Sequence, residues 1–199
     1  MPKNTFFNLP QEKRDKIIDG ATQAFSKQHY KKVTVDNIVN NAGIPKGSFY
    51  QYFENKDDLY LYVFNQIGDE KKQVLDELQE SAGTLNIKEY MMKLLQRSLE
   101  FEKNEPGLAE LKNKFMNECP QEIKKAVLAN EIPKSHRLLE EVLREYVKKG
   151  ELKKDLDIKT AAYMITACSV GLENYEFDKG STIEDVFFKI MDIFIRGME

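Results

Sequence analysis

The 199-residue chain holds two cysteines, two histidines and no tryptophan. Cys119 and Cys168 lie far apart in sequence and fit neither a metal-binding nor a redox spacing, so both read as reduced thiols. His29 and His136 form no ligand pair, and no motif sets a nucleophile beside a base. The expectation is a protein with no catalytic residue, no metal site and no cofactor. GIPKGS at 43–48 is not a phosphate loop, which needs four residues between its glycines and a lysine after the second; here Lys46 precedes Gly47. Long hydrophobic runs are missing too. The longest candidate, LYLYVF at 59–64, falls far short of the roughly 20 residues that cross a bilayer, so no membrane partner is expected. The opening MPKNTFFNLPQEKRDKII lacks the apolar block of a secretory signal, and the expected location is the cytoplasm. No alternating run is bounded by hairpin turns, which removes the signal for strands.

What remains is a helical pattern with enough apolar content, 41%, for a proper core. The charge is unevenly spread. Residues 1–56 carry nine Lys or Arg and five Asp or Glu, a balance of +4, which leaves −7 of the total −3 for residues 57–199. A basic leading segment ahead of an acidic remainder suits a chain whose first part meets a polyanion.

The first predicted helix begins near Pro10 and runs to about Lys27–Tyr30, with Ile17, Ile18, Ala21, Ala24 and Phe25 on one stripe. Thr34 caps a short second helix carrying Val35, Ile38, Val39 and Ala42, and Gly43 suits the left-handed position that ends it. A two-turn helix follows from Pro45 or Lys46. Asn55, Asp57 and Asp58 then open a long helix expected to reach about Glu80. Asn86 with Glu89 reads as a capping box for the next helix, and Pro106–Gly107 as its end. A short helix with Leu108, Leu111 and Phe115 precedes one that opens at Cys119–Pro120, is kinked or split by Pro133, and continues to Gly150. The last two run from about Ile158 to Tyr175 and from Thr182, whose TIED sequence fits a capping box, to about Arg196.

The segment AGIPKGSFYQYF at 42–53 sets four aromatic rings directly after two glycines, a proline and a lysine. With Lys46 at zero and about 100° per residue, Phe49 and Phe53 fall near roughly 300° and 340° on one narrow side, which reads as core. Gly47, Ser48 and Gln51 fall opposite, on a small polar face. A two-turn helix gains little from propensity, so its rings must anchor it by packing. Two helices joined by a glycine turn make a helix-turn-helix, whose later helix enters the DNA major groove. Lys46, Tyr50, Tyr52, Thr34 and Lys56 can reach phosphates. The Gln51 amide can bond adenine bidentately, with Ser48 and the close approach allowed by Gly47 next in line.

The stretch TVDNIVNNAGIPKGSFYQYFENKDDLY closely resembles the signature of TetR-type transcriptional regulators, over about residues 10–64. Two departures are small: Val39 stands where alanine is common, and Gln28–His29 where a glycine often precedes the aromatic. The resemblance implies an all-α homodimer with an N-terminal three-helix DNA-binding domain, here residues 1–55, and a ligand-binding and dimerisation domain, residues 56–199. It places the usual DNA contacts at Thr34, Lys46, Gly47, Ser48, Tyr50, Gln51, Tyr52 and Lys56. The implied partners are a palindromic double-stranded operator, a small-molecule effector that the sequence does not identify, and a second copy joined through the two C-terminal helices.

The dimer is also expected from the residues. In the last helix Ile183, Val186, Phe187, Ile190, Met191, Ile193, Phe194 and Ile195 cover more than half the circumference, more than one core contact needs. The preceding helix offers Ala161, Ala162, Ala167, Cys168 and Gly171, small enough for close helix approach. For the effector, Tyr90, Met91, Met92, Leu95, Phe115 and Met116 are the candidate lining, because thioethers repack around varied ligands, although each can equally be ordinary core. A helical enzyme and a protein-binding adaptor are the competing readings; the first lacks any catalytic constellation, and the second predicts that no DNA duplex is selected.

Overall fold

The computed structural model describes residues 1–78, 83–104, 107–172 and 175–198. Among the described residues there are ten α-helices and no strand: α1 (Asn4–Phe7), α2 (Gln11–Lys27), α3 (Val35–Ala42), α4 (Lys46–Tyr52), α5 (Lys56–Asp76), α6 (Ile87–Asn104), α7 (Leu108–Glu118), α8 (Gln121–Lys149), α9 (Ile158–Gly171) and α10 (Ile183–Met198), with a 3-10 turn at Tyr30–Lys32. The all-α expectation holds.

Local hydrogen bonding sets many of these boundaries. The Asn37 amide donates to the Thr34 hydroxyl, and Asn37 Oδ1 accepts from the Thr34 N–H, closing a capping box at the start of α3. At α6 the Asn86 N–H donates to Glu89 and the Glu89 N–H to Asn86. Thr182 and Asp185 repeat the reciprocal pair at α10. Gly43 ends α3 at φ 65°, and its N–H and that of Ile44 both donate to the Val39 carbonyl.

Three expectations change. The first is α1, which periodicity misses because four residues are too few to show a period. Second, of the kink or split expected at Pro133, the split does not occur, since α8 runs through it as one helix. Proline removes one amide donor, but Val127 before it and Leu138 and Leu139 after it are buried, and that packing holds the turns on either side. Third, α9 stops at Gly171, a weak helix former, rather than reaching Tyr175. The expected end of α5 near Glu80 and the break at Pro106 lie outside the described residues.

The chain divides into two compact units, residues 1–70 with 102–130 and residues 71–101 with 131–199, so the division falls within α5, α6 and α8. In the first unit, Ile17, Ala21, Ala24 and Phe25 of α2 are buried together with Ile38, Val39, Phe49, Phe53, Leu59, Leu111 and Phe115. The crossing of α2 and α3 depends on Gly20, where a Cβ would stand 2.6 Å from the Ala42 nitrogen. The Asn41 side chain donates to the Gly20 carbonyl across that contact. In the second unit Tyr90, Met91, Leu139, Leu143, Tyr146, Ala162, Ile165, Phe187 and Met191 form one core. Cys119 and Cys168 are both free thiols.

Candidate nucleic-acid interface

The two sides of α4 have different environments. Phe49 and Phe53 are fully buried, while Lys46, Gly47, Tyr50 and Gln51 are exposed and Ser48 is half-buried. The polar side of this helix is therefore at the surface of its unit. Gly47 is informative in a second way: a Cβ there would meet no atom within 4 Å, and its φ is not in the left-handed range. Nothing among the described residues requires glycine at this position. The missing side chain leaves the backbone open to a surface from outside.

Lys46 pairs with Asp36 at 2.9 Å, and both side chains remain more than half exposed. The hydrogen bond to Asp36 raises the Lys46 pKa, so the ammonium stays charged. An exposed pair of this kind contributes little, and a phosphate can take the place of the carboxylate. Thr34 is exposed with its hydroxyl engaged in the cap. Tyr50 leans edge-on against Phe49 with nearly half its surface free.

Two of the expected phosphate contacts sit differently from the rest. Tyr52 is only 6% exposed and packs against Phe6 at 6.3 Å between ring centroids. Phe49, Tyr52 and Phe53 follow an i, i+3, i+4 spacing, so this inward turn was readable as a helical core stripe. Lys56 is half-buried: its ammonium donates to the carbonyls of Tyr30 at 2.8 Å and Val33 at 2.9 Å and lies 4.6 Å from the Tyr30 ring centroid. Burial lowers its pKa. Lys56 thus closes the 3-10 turn, and the Tyr30 hydroxyl in turn donates to Asp57. At the start of α5 the Asp58 N–H donates to Asn55.

The six candidate effector residues separate. Tyr90 and Met91 are buried in the core of the second unit, and Met92 and Leu95 pack partly buried against it. Phe115 and Met116 belong to the first unit, where Phe115 lies 4.6 Å from Phe64 between ring centroids. The Tyr90 hydroxyl is buried without a hydrogen-bond partner among the described residues, as are one carboxylate oxygen of Asp76 and the hydroxyl of Thr166 in the same unit. Met92 also borders a surface cleft of about 560 Å³ with Lys88, Gln96 and Phe188. The Lys88 ammonium there pairs with Asp192 and lies 3.9 Å from the Phe188 ring centroid. No described helix is long and apolar enough to cross a membrane.

Residues 17–63 match the sequence model of bacterial regulatory proteins of the tetR family, and residues 85–197 match that of the tetracyclin repressor-like C-terminal domain. A fatty acid metabolism regulator protein of Bacillus subtilis is 27% identical over 160 residues, covering 78% of this chain and 80% of that one. A solved TetR family transcriptional regulator from Chloroflexus aurantiacus is 30% identical, with a TM-score of 0.58 over 100% of this chain and 98% of that one. The regulator FadR of Bacillus subtilis, solved in complex with stearoyl-CoA, shares the fold at 19% identity, with a TM-score of 0.63 over 93% and 99% of the two chains.

Proposed function

Because the chain belongs to the tetR family of bacterial regulatory proteins, DNA-binding transcriptional regulators and not enzymes, we propose that it is a homodimeric repressor that leaves a palindromic operator when a small molecule binds. The observation that carries the DNA reading is α4, with its phenylalanines inward and Gly47 and Gln51 at the surface over open space. In this reading residues 1–55 are the DNA-binding domain and 56–199 serve ligand and dimer. Gln51 reads a base, Ser48 and Gly47 sit against the groove floor, and Lys46, Thr34 and Tyr50 fix register on phosphates, while Tyr52 and Lys56, turned into the protein, hold α4 and the 3-10 turn in place. A regulator that works on DNA works in the cytoplasm.

The dimer reading is supported by the apolar residues left at the surface of the last two helices: Tyr163, Met164 and Val170 of α9, and Phe188 and Ile193 of α10. The effector reading is supported by Tyr90. A buried hydroxyl without a partner costs about 1–3 kcal/mol, which a ligand with an apolar body and one hydrogen-bonding group would relieve. Met91, Met92 and Leu95 supply adaptable surface beside it. Long-chain acyl-CoA is the first class to try, given what the Bacillus subtilis relative holds. Release follows by linkage if the ligand prefers a dimer whose two α4 helices are wrongly spaced for successive major grooves.

The test is enrichment of a duplex from random DNA, followed by footprinting of the selected site. Gln51→Ala is expected to relax choice at one base pair in each half-site, at about 1–3 kcal/mol, and Lys46→Ala to weaken all sequences alike. Stearoyl-CoA is expected to release the wild-type protein and to act more weakly on Tyr90→Phe. If no duplex is enriched, the DNA reading fails; if release is unaffected by Tyr90→Phe, the effector site lies elsewhere.

A further inference from the structure

The last four carbonyls of an α-helix have no partner within the helix, and a helix of seven residues has more than half its carbonyls in that position. In α4 all four are satisfied. The Phe49 carbonyl accepts from the Phe53 N–H at 2.9 Å. The other three are taken by the segment that precedes α2. The Lys3 ammonium donates to Tyr50 at 2.9 Å, the Thr5 hydroxyl donates to Gln51, and the Lys3 N–H donates to Tyr52 at 2.8 Å. A cation at this end also opposes the negative pole of the helix dipole. Phe6 anchors the segment: it is fully buried, 5.0 Å from the Phe53 ring and 5.2 Å from that of Tyr62 on α5.

We propose that Lys3, Thr5 and Phe6 position the recognition helix: Lys3 and Thr5 close its C-terminal turn, Phe6 fixes that turn against α5, and base discrimination by Gln51 depends on them. The inference rests on the reading of α4 as the helix that meets DNA. Two of the carbonyls held this way belong to the exposed residues Tyr50 and Gln51, whose side chains would face bases and phosphates. A frayed last turn would leave those side chains in several orientations. The phosphate contacts at Lys46 and Thr34, further toward the N-terminal end, would persist. Loss of the clamp is therefore a loss of discrimination more than of general affinity.

The test uses the full-length protein and a Lys3→Met/Thr5→Val double variant, which removes both side-chain donors while leaving Phe6 in place. Amide hydrogen exchange of the free protein is measured first. Residues 50–53 are expected to exchange about tenfold faster, while the α2 core amides keep wild-type protection. On DNA, the ratio of affinities for the selected operator and a scrambled duplex is expected to fall about tenfold. Thr5→Val alone should lower that ratio without changing the salt slope, because no charge is removed. A Lys3→Arg/Thr5→Ser variant, which keeps both donors, should restore it. Unchanged exchange at residues 50–53 overturns the clamp, whatever the DNA result. Faster exchange with an unchanged ratio overturns the positioning role, as does a uniform rise in exchange that includes α2. If the wild type selects no duplex at all, the DNA reading fails and this positioning role fails with it, while the exchange measurement still reports whether the clamp exists.

Discussion

A methyl group built on Gly20 would stand 2.6 Å from the Ala42 nitrogen, whereas one built on Gly47 would meet no atom within 4 Å. Both glycines are helical, and the sequence alone does not separate their roles. Gly20→Ala should force α2 and α3 apart and destabilise the first unit by about 1–3 kcal/mol, read as a lower midpoint in denaturant. Gly47→Ala should leave that midpoint unchanged or raise it, by up to about 1 kcal/mol from helix propensity. In the same variant, operator affinity should fall about tenfold or more, since the methyl meets the DNA surface instead. A stable Gly47→Ala variant with wild-type affinity would remove the close approach from the DNA reading. Lys56 shows the opposite relation between residue and role: a charge that reads as a phosphate contact has its ammonium on two backbone carbonyls of the Tyr30–Val33 segment.

Among the elements, α10 is held at its start by Thr182 and Asp185. The Asp185 carboxylate accepts from the Thr182 N–H and hydroxyl, and these bonds hold its pKa below the ordinary 3.8. A carboxyl depressed in the folded state contributes stability that is complete above its unfolded value and is lost as pH falls through the folded one. Asp185→Asn keeps an acceptor oxygen but does not titrate. The wild type should therefore melt above this variant at neutral pH, from the charge at the helix N-terminus, and the advantage should vanish in acid well below 3.8. Equal melting at both pH values would mean that the charge adds nothing to the cap. The caps of α3, α6 and α10 were legible in the sequence because each joins residues three apart, whereas α1 was not, since its bonds reach 46 and 47 residues along the chain to α4.

For the molecule as a whole, the proposed dimer rests on the surface of the last two helices. Ile193 is 69% exposed and Tyr163 is 61% exposed, on helices whose other faces fill the core of the second unit. Ile193→Glu with Tyr163→Glu should convert a dimer to a monomer in light scattering while leaving the helical content intact. Operator affinity should fall steeply in this variant if the proposed palindromic operator places its second half-site one helical turn away, where only a second copy reaches it. A wild-type protein already monomeric at working concentration would refute the dimer. The effector candidates illustrate how far periodicity reaches at this scale. Tyr90, Met91, Met92 and Leu95 share one core as their spacing within two turns of α6 suggests, but the pattern carried no information on which unit Phe115 and Met116 would join.

The order of helices, their capped starts, the left-handed turn at Gly43 and the inward side of α4 were determined by the sequence alone. Each depends on residues within about one or two turns of one another, where geometry is fixed by the helix itself. Where Lys3, Thr5 and Lys56 send their donors, the choice of Phe6 as the ring that Tyr52 packs against, and the continuity of α8 through Pro133 were decided only by the tertiary structure. These depend on partners brought together from distant parts of the chain, and packing overrides local preference when such contacts bury enough surface.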